Sequence, residues 1–435
     1  MTPHRTRRAH RVIASSALLV GLAANASVAY PAHAAPPARP PAGAATYKIG
    51  VSLPYTELPG IITGIERGVR VAIAQANRNR TVPGVMFQLD SLDDTVNGKH
   101  SGQKDATNAR QFINDPSVIG EVGPSNSDAT KVSEPVYNRA GLVQISPANT
   151  AVDLTARSRR ALYEPASAIS GVPLTYFRTC TTDAYQGPAA ALYAKKAGFT
   201  KVYITDNKDT YGIGLAQAFK AEAGKIGLTI VGQGELDPNN LATSAQQLAA
   251  SAARARPDLV YFGGEYGAKG GAEMLADSLR RAGLSKVAFM GGDSILAQDF
   301  INGTAAGGAS HAYATTVGGD PARDPNAQAF LKAERALFPG TATQAYDAYA
   351  YDAANVLIDA FARAVKSGRI TVGQAMTVAR RQIIARDVAA TRDFHGATGN
   401  FSFDANGDTT NHTISVYKVV RGTWTSLTVA PQPRE

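Results

Sequence analysis

The fold of this chain is limited most by one pattern, in which short β-rich runs alternate with amphipathic windows of helical period. The runs are YKIGVSL (47–53), MFQLDSL (86–92), VIGEVG (118–123) and LVQISP (142–147), then KVYITD (201–206), TIVGQGEL (229–236), LVYFGG (259–264) and KVAFMGG (286–292). Between them the spacing predicts helices over 62–78, 99–114, 128–140, 187–197, 213–226, 242–255 and 270–283. Such alternation argues for α/β units, with parallel strands covered by helices on both faces. The pattern outruns one domain and restarts after the loop-rich stretch 151–185, so two similar lobes in tandem are expected. Three more helices, 324–336, 344–366 and 372–384, come without strands of their own and must return to an existing sheet. A hairpin is expected over 399–419.

The formal charge of +9 raises the question of nucleic acid or an anionic membrane. Residues 1–34 have the layout of a secretory signal: Arg5, Arg7, Arg8 and Arg11, an apolar run over 13–24, then Ala32-His33-Ala34 as a small-x-small cleavage site. The run is too short for the roughly 20 residues that span a bilayer. Loss of this segment brings the balance from +9 to +5, so much of the basic excess is targeting and no nucleic-acid partner is expected. Residues 35–46, rich in Pro and Ala, read as a flexible leader.

Catalytic and cofactor signatures are missing. The chain has no G-x-S-x-G, H-E-x-x-H or G-x-x-x-x-G-K-[ST]. His100, His311, His395 and His412 are scattered without metal-ligand spacing and read as surface or loop residues. Asp404-Ala-Asn406-Gly-Asp408 begins like a calcium loop but has Thr409 and Ser415 where glycine and an acid belong, so it reads as a turn with Asn406-Gly407 supplying positive φ. Cys180, the single cysteine, reads as an inert packing residue. No catalytic residue, metal or cofactor is expected.

Small polar residues gather instead just past the strands. Asn126, Ser127 and Asp128 follow the run 118–123, and Ala148, Asn149 and Thr150 follow 142–147. In the second half, Tyr211 lies in the loop after 201–206, Glu265 and Tyr266 after 259–264, and Asp293 after 286–292. Open α/β sheets bind ligands outside the carboxyl ends of their strands, where helix N-termini present free N–H groups. Ser127 and Thr150 are donors suited to a carboxylate, and Asp293 is an acceptor suited to an ammonium. Together they describe a zwitterion site, although each residue singly is also what helix capping requires.

The segments GPSNSDATKVSEPVYNRAGLVQISPANT (123–150), FRTCTTDAYQGPAAA (177–191), DNKDTYGIGLAQAF (206–219) and YFGGEYGAKGGAEML (261–275) make the chain resemble the periplasmic binding proteins of branched-chain amino acid ABC transporters. The resemblance spans essentially the whole mature chain. It implies two Rossmann-like lobes with parallel central sheets, joined by a three-strand hinge with crossings near 177–180, 311–314 and 400–412. By this resemblance, Ser127 binds the ligand carboxylate and Thr150 also binds ligand. The Ala148 carbonyl and Asp293 take the ammonium, and Tyr211 is the aromatic contact. The sequence departs from the family's pattern at Glu265, where a tyrosine is usual, and at Asp293, where the usual acid is the longer glutamate. An acidic Glu265 either favours a polar or cationic ligand or sits outside the cleft. Ile61 is a candidate for the side-chain pocket.

The expected organisation is a first lobe of 47–177 plus 313–400 and a second of 178–312 plus 401–435. The resemblance implies a monomeric receptor that binds a small amino-acid-like ligand between its lobes and delivers it to an inner-membrane ABC permease. With no cysteine near the cleavage site to carry a lipid, it also points to a periplasmic location. A sensory module of the same fold and an amide-processing enzyme are the rival readings.

Overall fold

In the computed structural model, residues 43–305 and 307–431 are described. The expected signal and most of the leader lie outside them. The leader is shorter than expected, because Ala45 and Thr46 already belong to the first strand.

The first lobe opens with β1 (Ala45–Leu53), α1 (Pro59–Asn79), β2 (Val85–Asp93), α2 (Gly102–Asn114), β3 (Val118–Val122), α3 (Ser127–Arg139), β4 (Val143–Ser146) and β5 (Tyr176–Arg178). Its sheet has the order β2-β1-β3-β4-β5 and is parallel throughout. Ile49, Val51, Ile119, Val122, Val143 and Ile145 are buried, as befits strands covered on both faces. Pro59 sets the first turn of α1, and Ser101 caps α2 by accepting the Lys104 N–H.

The second lobe runs through α4 (Asp183–Lys196), β6 (Lys201–Asp206), α5 (Thr210–Lys225), β7 (Thr229–Glu235), α6 (Leu241–Ala255), β8 (Leu259–Gly263), α7 (Ala272–Arg281), β9 (Ala288–Gly291) and β10 (Ala312–Val317). The chain then returns to the first lobe as α8 (Gln328–Leu337), α9 (Asp347–Lys366), α10 (Val378–Ala389) and the small hairpin β11 (Phe394–Gly396) with β12 (Gly399–Phe401). It ends in the second lobe as β13 (Ile414–Val420) and β14 (Thr423–Val429). The second sheet has the order β14-β13-β10-β9-β8-β6-β7, with only β13 and β14 antiparallel to their neighbours.

Three expectations change. The hairpin foreseen over 399–419 is two different pairings: β12 pairs back with β11, and β13 pairs with β10 and β14. The boundary foreseen at 312/313 falls inside β10, which stays in the second sheet to Val317, so the second crossing follows that residue. At Asp404–Asp408 the Asp404 carboxylate accepts the backbone N–H of Asn406 and Asp408, and Gly407 alone takes a positive φ.

The returning helix α9 packs against α1 and β3. Contact is close because Gly64 and Gly68, one turn apart on α1, present no side chain to Asp347: a Cβ on Gly68 would fall on the Asp347 backbone carbonyl. Arg67 beside them donates to the buried Asp347 carboxylate at 2.8 Å. Gly68→Val is therefore expected to destabilise the protein by about 3 kcal/mol through overpacking. A urea melt with the midpoint unmoved would show that the helices can separate at no cost.

Candidate functional site

The loops after the parallel strands converge between the lobes. In the first lobe Asn126 is the N-cap of α3 and Ser127 its first residue, and both are buried. Ser146, closing β4, donates to the Pro124 carbonyl at 2.8 Å and accepts the backbone N–H of Ala148 and Asn149. That one hydroxyl ties the Ala148–Thr150 loop to the α3 N-terminus. Thr150 is buried, and its carbonyl accepts the Asp183 N–H at 2.8 Å where α4 begins. The Asn149 amide oxygen accepts from Thr130 and Tyr176, both inside the first lobe, while its buried amide nitrogen has no hydrogen-bond partner among the described residues.

Arg178, fully buried at the end of β5, fixes the same loop from beneath. It donates to the carbonyls of Asn149 (3.2 Å) and Ala151 (2.7 Å) and to Thr155, and pairs with Asp408 at 2.7 Å. The first and third crossings are thereby joined at one guanidinium. Cys180 beside it donates to the Asn149 carbonyl, and its thiol pKa is pushed up by burial, as suits an inert packing residue.

From the second lobe Asp293, just past β9, accepts from Tyr211 on α5 at 3.0 Å and from Tyr346, which precedes α9 in the first lobe. The Asp293–Tyr346 bond crosses between lobes. Burial lifts the Asp293 carboxyl to about 6, against the opposing effect of bonds from Gln186 and Tyr211. Asp183 lies nearby, its pKa raised by burial and by the Asp293 charge. A buried acid whose charge raises the pKa of a buried neighbour is what an incoming ammonium would relieve. Neither Tyr346 nor Asp183 is among the residues expected from sequence.

Glu265 lies between the lobes as well, not outside the cleft. Its carboxylate accepts from Asn126 Nδ2 at 2.8 Å, a second bond between the lobes. It faces Glu57 and His100, with ligand atoms of all three within 4.8 Å of one another. His100 is not the surface residue the sequence suggested. It is buried, with Nδ1 2.6 Å from Glu57 Oε2 and Nε2 2.8 Å from Asp128 Oδ1. Burial opposes charge on the ring, but Asp128 and Glu57 outweigh it and raise the pKa well above the usual histidine range. Burial, together with the Asp209, Glu57 and Asp128 charges, pushes Glu265 up to about 8 against the attraction of His100.

Tyr266 turns towards α1, where a Cβ on Gly60 would lie 3.7 Å from its hydroxyl, and helps to close the lobes at that side. Ile61 is buried in the same turn. A separate groove of about 670 Å³ between the lobes, bordered by Lys131, Asp153, Lys208 and Glu222, contains none of the candidate residues.

The model of the periplasmic binding protein family matches residues 46–423. The chain belongs to that family. It is 30% identical over 303 residues to an amino acid binding protein of Pseudomonas aeruginosa, covering 68% of this chain and 72% of the relative. It is 28% identical over 357 residues to the Leu/Ile/Val-binding protein BraC3 of Rhizobium johnstonii, covering 81% and 86%. Among solved structures, the branched-chain amino acid transporter substrate binding protein LivJ of Streptococcus pneumoniae in complex with isoleucine superposes with a TM-score of 0.72 at 22% identity, over 89% of this chain and 100% of that one. An ABC transporter solute binding protein of R. palustris in complex with benzoate superposes with a TM-score of 0.68 at 19% identity, over 90% and 98%. This periplasmic binding protein thus shares its fold with receptors of an amino acid and of an aromatic acid, so the ligand class has to be argued from its own residues. Among the described residues no helix is long and apolar enough to cross a membrane.

Proposed function

We propose that this periplasmic binding protein is a receptor for a small amino-acid-like ligand, exported by its N-terminal signal without a lipid anchor and working as a monomer that delivers the ligand to an ABC permease. The reading rests on one arrangement: Asp293, buried in the second lobe and bonded to Tyr346 of the first, with Ser127 at the α3 N-terminus and the Thr150 loop as the complementary anion-binding side. A carboxylate gains from the helix terminus and a hydroxyl, and an ammonium from Asp293. The names of the relatives agree with this ligand class. The bonds from Asn126 to Glu265 and from Tyr346 to Asp293 exist only with the lobes together. A ligand that touches both lobes shifts the hinge equilibrium by its extra contacts in the closed form.

Micromolar affinity needs about −8 kcal/mol. At a hundredfold excess over Kd such a ligand stabilises the native state by about 2.7 kcal/mol. An amino acid panel in a thermal-shift assay should therefore contain members that raise the melting temperature by several degrees, and Ser127→Ala should weaken their binding about tenfold in calorimetry. A panel in which nothing shifts the melting temperature refutes the receptor reading.

A further inference from the structure

Glu57, His100 and Glu265 meet between the lobes, and their arrangement bears on the side chain of the ligand. Glu57 and Glu265 are 6% and 5% exposed, and each has one carboxylate oxygen, Oε1 and Oε2 respectively, buried with no hydrogen-bond partner among the described residues. A buried acceptor left unpaired destabilises the protein, and more so when it is charged. The two carboxylates, one from each lobe, each bring an oxygen within 4.8 Å of the other. The groups around Glu265 do not supply the missing charge: Glu57, Asp128 and His100 approach from the first lobe and Asp209 from the second, so one cation faces four acids.

The cluster also adjoins the zwitterion site. Glu265 is bonded to Asn126, the residue before Ser127. Glu265 and Asp293 each stand two residues past the ends of neighbouring parallel strands, β8 and β9, whose register pairs Phe262 with Gly291. A ligand held by its α-ammonium at Asp293 and its α-carboxylate at Ser127 has its side chain within reach of Glu265.

We infer, on the receptor reading above, that the ligand is a basic amino acid or analogue whose guanidinium or ammonium lies between Glu57 and Glu265. A guanidinium offers five N–H donors and satisfies both free oxygens at once. A leucine or valine side chain would leave them buried and unpaired. Since the two carboxylates belong to opposite lobes, the cation also rewards closure. A divalent metal suits the place less well: an imidazolium carrying a carboxylate on each nitrogen has no lone pair for a metal.

The test is titration calorimetry of the full mature chain at pH 7 in EDTA with arginine, lysine, leucine and citrulline, the last being the neutral isostere of arginine. Arginine or lysine should bind at least 100-fold more tightly than leucine and citrulline. Glu265→Gln and Glu57→Gln should each weaken the basic ligand at least tenfold and leave citrulline unchanged or improved. Because the empty Glu265 carboxyl titrates at about 8, uptake of the basic ligand at pH 7 should release up to one proton, read from the dependence of the enthalpy on buffer ionisation. Leucine or citrulline binding as tightly as arginine, with Ser127→Ala still weakening it, overturns the inference and keeps the receptor. Binding of no amino acid overturns both. Zn²⁺ binding in the absence of EDTA that Glu265→Gln abolishes, without arginine binding, makes the cluster a metal site and overturns the inference.

Discussion

Asp293→Asn should lower ligand affinity by about 30-fold or more and leave the empty protein folded. Removing one partner of a buried, hydrogen-bonded charge pair costs about 2–5 kcal/mol, or roughly 30- to 5,000-fold in Kd. Asparagine keeps the shape but not the charge, and its amide nitrogen meets a tyrosine hydroxyl where Asp293 accepts from both Tyr211 and Tyr346. The pH dependence separates this cause from a general loosening. Burial raises the carboxyl to about 6 from a usual value of 3.8. The empty closed form therefore has this stability contribution in full below the usual value and loses it as pH rises through 6. Ligand binding runs the other way, because an ammonium needs the ionised acid. Wild-type affinity should fall about tenfold per pH unit below 6, and in Asp293→Asn this component of the pH profile should vanish. Calorimetry between pH 4.5 and 8 measures both, and a variant with wild-type affinity at pH 7 removes Asp293 from the site.

Arg178→Met should cost about 3–5 kcal/mol, because it removes the fully buried member of an ion pair and leaves the loop carbonyls and the partly exposed Asp408 without their donor. In melting temperature that is a fall of roughly 5–15 °C. The guanidinium is the shared donor for the Asn149 and Ala151 carbonyls, Thr155 and Asp408. Methionine fills much of its volume and bonds to none of them. Lysine keeps the charge but, as a single point, cannot serve the loop and Asp408 together, so Arg178→Lys should fall between the two. Since Thr150 lies between the two held carbonyls, ligand affinity should drop along with stability. Arg178→Met within 1 kcal/mol of wild type in a denaturant melt would mean that the crossings hold together without this clamp.

Much of this is legible in the amino-acid sequence. The alternation of runs marks β1 to β4 and β6 to β9 to within a few residues, since each is long enough to show its pattern. The sequence marks β5 and β10 only as crossings: the first is three residues long, and the second lies at the expected hinge. Ser127, Thr150 and Asp293 stand out because strand-end loops are places of known chemical use. Asp183, His100 and Tyr346 did not, for one physical reason: the roles of all three come from contacts between segments far apart in sequence. Tyr346 meets Asp293 across 53 residues and Asn126 meets Glu265 across 139, and no local periodicity encodes such meetings. The acidic Glu265 stands out in the sequence, but only its partners decide what it does.

The return of α9 to the first lobe also sets a clock on how the protein is made. Arg67 and its partner Asp347 are 280 residues apart, and at about 5–20 residues per second the ribosome takes about 15–60 s to supply the second after the first. Until then α1 and β3 lack the helix that covers them, and their apolar faces remain open. Contacts of such sequence separation also slow the final collapse. On the export proposed above, that delay favours translocation, because the amino-terminal half cannot close into a finished lobe before α9 is made.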